Sequence, residues 1–123
     1  YDNKKEKCPN CDEYYDIAGP LWLGELAEKG FMELMLQAIS NKKYLENTNS
    51  ENLLRMVSRE IGYPVGFYDI DKICSLIGSK SISTSEAIGR INDEGYRVTL
   101  THFDNRSIKT DANIFELRQV LAP

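Results

Sequence analysis

The stretch Ser83–Ala112, STSEAIGRINDEGYRVTLTHFDNRSIKTDA, changes its hydrophobic period halfway along, and that change decides the fold. Its first part is helical. Ser83 and Glu86 have capping-box spacing, in which a hydroxyl and a carboxylate satisfy each other's orphan backbone amides. Ile82 and Ala87 stand at the staple positions, Ile88 and Ile91 continue the apolar stripe, and Gly95 supplies the stop. From Tyr96 the period becomes two. Tyr96, Val98, Leu100 and His102 fall on one face of an expected strand, and Arg97, Thr99, Thr101 and Phe103 fall on the other. Asp104–Ser107 has turn chemistry, and the segment from Ile108 to Ala112 returns as a second short strand.

Working outward, a helix is expected over about Asp69–Ile77, with Ile70, Ile73, Cys74 and Ile77 inward and Gly78 after it. Helix, turn, helix and hairpin together make a winged-helix-like pattern across residues 68–111. The helix of Ser83–Glu94 is then the recognition-type helix, and the Asp104–Ser107 turn is the wing tip. Upstream, Thr48 and Glu51 signal another capping box, Leu53, Leu54, Val57 and Ile61 line one face, and Gly62 ends it. A further helix is expected over about Gly30–Asn41, burying Phe31, Leu34, Met35, Ala38 and Ile39. Leu21–Leu23 reads as a short strand between Gly19-Pro20 and Gly24. Asn113 and Glu116 open a last helix. The expected class is α+β: one mostly helical domain with a winged-helix-like half and a short N-terminal strand.

At 123 residues and 41% hydrophobic composition the chain suits one soluble domain with a real core. No apolar run approaches the roughly 18–20 residues that span a bilayer, and polar Tyr1–Glu6 does not open a signal peptide. A net charge of −4 disfavours gripping nucleic acid by bulk attraction. The charge is uneven, though: residues 79–123 balance six basic against six acidic side chains. Any polyanion contact would come from local clustering there. Three cysteines cannot all pair, which favours a reducing compartment, and a cytoplasmic location is expected.

Cys8 and Cys11 form a C-P-x-C knuckle whose thiolates suit zinc from a tight turn. Zinc wants four ligands, and no second knuckle follows. A redox pair or metal-free structural thiols are the other readings. Cys74 reads as a small core residue. His102 is either a structural residue or an RNA contact. Arg97, Arg106 and Lys109, with Phe103, make either a solvated face or a set that meets phosphates and an unstacked base. The sequence has no P-loop and no G-x-G-x-x-G.

Three blocks together carry a resemblance. GPLWLG (Gly19–Gly24), preceded by the Cys8/Cys11 knuckle, and GYRVTLTHFDNRSIKTDA (Gly95–Ala112) resemble the C-terminal domain of archaeal-type tRNA (guanine-N2-)-dimethyltransferases. The resemblance implies an S-adenosylmethionine-dependent enzyme acting on guanine 26 of tRNA, with its catalytic domain N-terminal to this segment. It implies that this segment recognises tRNA and is inactive alone, that tRNA and the catalytic domain are its partners, and that no membrane is involved. It also implies that Cys8 and Cys11 are half of a zinc site completed by an upstream knuckle. Residues 1–18 are then a zinc-knuckle linker remnant, with disorder expected, and residues 19–123 are the recognition domain. Arg97, Thr101, His102, Phe103, Arg106, Lys109 and Thr110 are expected at the RNA-binding or domain-docking face, and Trp22 at the domain junction. A zinc-ribbon and winged-helix DNA regulator is the alternative, and a protein-interaction module is a second rival.

Overall fold

A computed structural model describes residues 6–9, 12–16, 19–42 and 48–122. Along the chain run α1 (Lys29–Ser40), α2 (Asn49–Glu60), β1 (Tyr68–Asp69), α3 (Ile70–Leu76), α4 (Thr84–Asp93), β2 (Val98–Leu100), β3 (Ser107–Thr110) and α5 (Ile114–Val120). The architecture is α+β. The three strands form one antiparallel sheet in the order β1-β3-β2, with Tyr68 opposite Ile108, Val98 opposite Thr110 and Leu100 opposite Ile108.

The N-cap residues follow their signals, but the reciprocal bond expected of the Glu86 carboxylate is replaced by a pair with Arg90. Thr48 and Ser83 cap α2 and α4 through the amides of Glu51 and Glu86, and Asn113 with Glu116 closes a full capping box on α5. At the end of α4, Gly95 takes φ +87°, its amide bonds the Asn92 carbonyl, and Tyr96 N–H reaches back to Ile91. This is a Schellman closure, which needs a residue free to adopt positive φ. α3 ends in the same way, through Gly78 and Ser79.

The core is built by α3, α4, β3 and α5. Ile70, Ile73, Ala87, Ile91, Ile108, Leu117 and Leu121 are buried together with Cys74, as its apolar reading requires. Burying each large aliphatic side chain contributes roughly 1.5–3 kcal/mol. β3 is the central strand and all four of its residues are buried. Because successive side chains alternate between faces, Ile108 joins the helix-side core and Lys109 points to the other face, toward α2.

Three expectations are corrected. Leu21–Leu23 forms no strand; the three residues are 70%, 70% and 85% exposed, and among the described residues no strand pairs with them. In α1 the inward stripe is Met32, Met35, Leu36 and Ile39, while Phe31 and Leu34 are exposed. The helix is apolar on two sides, and packing against α2 selects between them. β2 ends at Leu100, so His102 and Phe103 lie in the connection rather than on a strand. The reason is a competing acceptor: His102 N–H bonds the Glu60 carboxylate at 2.5 Å instead of a strand partner.

Candidate nucleic-acid interface

The turn from Thr101 to Ser107 is held by its own polar groups. Thr101 Oγ1 donates to the Asp104 carbonyl at 2.8 Å, and Thr101 N–H reaches the Ser107 carbonyl. Asp104 accepts from Arg106 N–H through Oδ1 and from the Ser107 hydroxyl through Oδ2. Those bonds favour the ionised form and hold the Asp104 carboxyl below its ordinary value. Thr110 is buried at the far end of β3, where its hydroxyl accepts from Ala112 N–H.

Beneath this turn lies the residue that organises it. Glu60, the last residue of α2, is 7% exposed. Its Oε1 accepts from His102 N–H and lies 2.9 Å from His102 Nδ1, and its Oε2 lies 3.0 Å from Lys109 Nζ. Burial pushes the Glu60 carboxyl up, but the His102 and Lys109 hydrogen bonds outweigh that and leave it below the usual value. The T-H-F and I-K-T blocks, separated in sequence, therefore converge on one carboxylate. The carboxylate also settles the imidazole: with Nδ1–H facing Glu60, Nε2 is the acceptor of the neutral ring.

Lys109 is 4% exposed at its side chain and committed to this pair. Arg106 is similarly occupied. Its guanidinium binds both oxygens of Asp71, the Thr84 and Ser81 hydroxyls and the Ile82 carbonyl, tying the turn to α3 and the start of α4. Arg106, with help from Ser81, holds the Asp71 carboxyl far below the usual carboxylate range. Arg97 is the exposed cation of the set: its Nε pairs with Asp111 at 2.9 Å and its guanidinium lies 5.1 Å from the Tyr63 ring centre. The structure thus brings His102, Phe103 and Lys109 together around Glu60, puts Arg106 at the opposite flank of the turn, and leaves Arg97 on the surface.

Sequence reasoning missed Glu60 and Phe67. Glu60 did carry a signal: it falls three residues after Val57 and seven after Leu53, an acid on the apolar stripe of α2. Phe67 lies in the connection between α2 and β1, and its ring packs edge-on against Phe103 with centres 4.9 Å apart.

Trp22 is 70% exposed and folds back on its own loop, with Nε1 donating to the Glu25 carbonyl. Its indole lies so close to Gly24 that a Cβ there would meet Cζ2 at 2.7 Å. Cys8 sits in a small turn in which its amide bonds Glu13 and its carbonyl accepts from Asp12, beside a Lys7–Tyr14 bridge. Cys11 lies outside the described residues. Among the described residues no group of three or more potential ligands converges, with Cys74 in the core and His102 engaged by Glu60. The described part of the chain therefore does not fit a four-ligand zinc site. No helix among the described residues is long and apolar enough to cross a membrane.

The sequence profile of the N2,N2-dimethylguanosine tRNA methyltransferases matches residues 1–122. The tRNA (guanine(26)-N(2))-dimethyltransferase of Methanothermobacter thermautotrophicus is 36% identical over 118 residues, covering 96% of this chain and 31% of that protein. The enzyme of the same name from Saccharolobus solfataricus is 31% identical over 121 residues, again covering 31% of the relative. A solved structure, Trm1 from Pyrococcus horikoshii in complex with S-adenosyl-L-methionine, is similar with a TM-score of 0.67. Identity is 26%, over 89% of this chain and 28% of that one. The chain thus spans under a third of the length of the relatives it matches.

Proposed function

Because this chain belongs to the N2,N2-dimethylguanosine tRNA methyltransferase family, we propose that it is the C-terminal, tRNA-holding domain of such an enzyme. The observation that carries this is a family match along residues 1–122 that accounts for 31% of the relative's length. Methyl transfer, S-adenosylmethionine and the catalytic groups belong to the remainder of the protein, and this chain alone is inactive. It works in the cytoplasm. Residues 1–18 are the linker remnant and residues 19–123 the recognition domain.

The guanine that such enzymes modify must be exposed before its exocyclic amine can react, and displacing a base costs a few kcal/mol. Contacts to tRNA shape and phosphates offset that cost and set the register. In this chain the order β1-α3-α4-β2-β3 supports a winged-helix-like reading, with α4 as the recognition-type helix and residues 104–107 as the wing tip. The contact face divides by burial. Arg97, His102 and Phe103 meet RNA or the catalytic domain, while Thr101, Arg106, Lys109 and Thr110 hold the face in shape.

Trp22, with exposed Leu21, Leu23, Leu26, Phe31 and Leu34, forms the junction with the catalytic domain. Exposed large apolar side chains grouped in one segment are the kind of surface that marks a contact. Zinc, if the family site is used, needs ligands from outside the described residues to join Cys8 and Cys11.

A gel shift at about 50 mM and about 200 mM salt, with tRNA and duplex DNA as probes, tests the reading. Retarded tRNA with free duplex DNA is the expected result. Equal retardation of duplex DNA points to the DNA-regulator alternative, and no shift of either probe overturns nucleic-acid recognition.

A further inference from the structure

The most exposed part of the site is aromatic. Phe67 and Phe103 are 51% and 53% exposed, and Phe103 stands edge-to-face with both Phe67 and His102, centres 4.9 and 5.2 Å apart. Each ring therefore combines an aromatic contact with about half of its surface open to solvent. Two parts of the cluster are held by hydrogen bonds: Glu60 fixes the backbone and ring of His102, and Thr101 and Asp104 fix the turn that carries Phe103.

The surroundings suit an anionic ligand. The Glu60 charge is met by Lys109 and His102. Arg59, the residue before Glu60 on α2, lines a groove together with Met56, Val98 and Leu100. Arg59 is exposed and has no ion-pair partner among the described residues. Half-exposed aromatic rings with an exposed cation on the neighbouring helix are the combination that holds an unpaired nucleotide, base on ring and phosphate on guanidinium.

We propose that Phe67, Phe103 and His102 form a stacking platform for one unpaired base of the tRNA, with Arg59 beside it as a phosphate contact. This rests on the tRNA-holding reading and adds to it a single-stranded element of the substrate. Holding those parts in place before binding lessens the conformational freedom lost, which favours affinity.

The test uses this 123-residue chain and a tRNA transcript, with affinity measured at two salt concentrations for wild type, Phe67→Leu, Phe103→Leu, Phe67→Tyr and Phe115→Leu. Each Leu substitution at the platform is expected to weaken binding about 5- to 150-fold. Stacking releases no counterions, so the salt dependence stays that of wild type. Phe67→Tyr keeps a ring and retains affinity, and Phe115→Leu, on α5, leaves binding unchanged. In the wild-type chain, NMR signals of the Phe67 and Phe103 rings are expected to shift when RNA is added, a readout that survives if a Leu variant fails to fold. Wild-type binding with unaffected Leu variants and unmoved ring signals overturns the platform and leaves these rings to a protein contact. Absence of tRNA binding by the wild-type chain overturns the wider reading as well.

Discussion

Glu60 shows what one side chain can organise. It is a buried carboxylate at a helix end, reached from 42 residues away by His102 and from the central strand by Lys109. Such a pair is weak evidence of net stability, because desolvating both charges costs about as much as their attraction returns. Breaking it from one side is different, since an uncompensated charge stays buried. Glu60→Ala or Lys109→Ala is expected to destabilise the chain by about 3–5 kcal/mol in urea denaturation. The double variant Glu60→Leu/Lys109→Met should recover most of that loss; simple additivity of the single losses would argue against a coupled pair. The pH dependence has a definite sign. Glu60 titrates lower in the folded chain than its unfolded value of about 4.3. Its contribution is therefore complete above that value and declines as pH falls through the folded pKa. Asp71, held low by Arg106, adds to the same trend. Stability measured from neutral pH down to about 3 should fall more shallowly in Glu60→Gln than in wild type; parallel curves would exclude Glu60 as a source.

At the scale of the element, end signals prove more faithful than faces. Thr48, Asp69, Ser83 and Asn113 each cap the helix that follows, and Gly62, Gly78 and Gly95 each follow a helix end with positive φ. These are local devices acting within a few residues. The face of α1 is not local: both sides are apolar, and the neighbour decides which one is buried. Gly95→Ala should cost about 1–2 kcal/mol, because φ +87° is strained for any Cβ even with open space around it. Gly89→Ala, inside α4 with nothing near its added methyl, should instead gain about 0.5–1 kcal/mol. Thermal melting of the two variants reads both signs, and equal shifts would contradict the conformational account.

Across the whole molecule, the main core cluster and the longest run of exposed apolar side chains lie in different parts of the chain. The core cluster comes from residues from Ile70 onward, with α2 and its Glu60 bridging to the sheet. Residues 21–34 carry Trp22 and five other exposed aliphatic and aromatic side chains. The single tryptophan makes this measurable. In this chain its fluorescence should be quenched readily by iodide, and in a polypeptide that adds the proposed N-terminal catalytic domain it should be shielded. Equal quenching in both would remove Trp22 from the junction.

Taken alone, the sequence determined the helices, the caps of α2, α4 and α5, the switch to a hairpin and the blocks that mark the family, since all of these are encoded within a few residues of one another. Tertiary structure decided the end of β2, the inward commitment of Arg106 and Lys109, and the convergence of His102 and Lys109 on Glu60. Those outcomes depend on which acceptor lies closest once α2 has packed against the sheet. No period or motif within either segment records that distance.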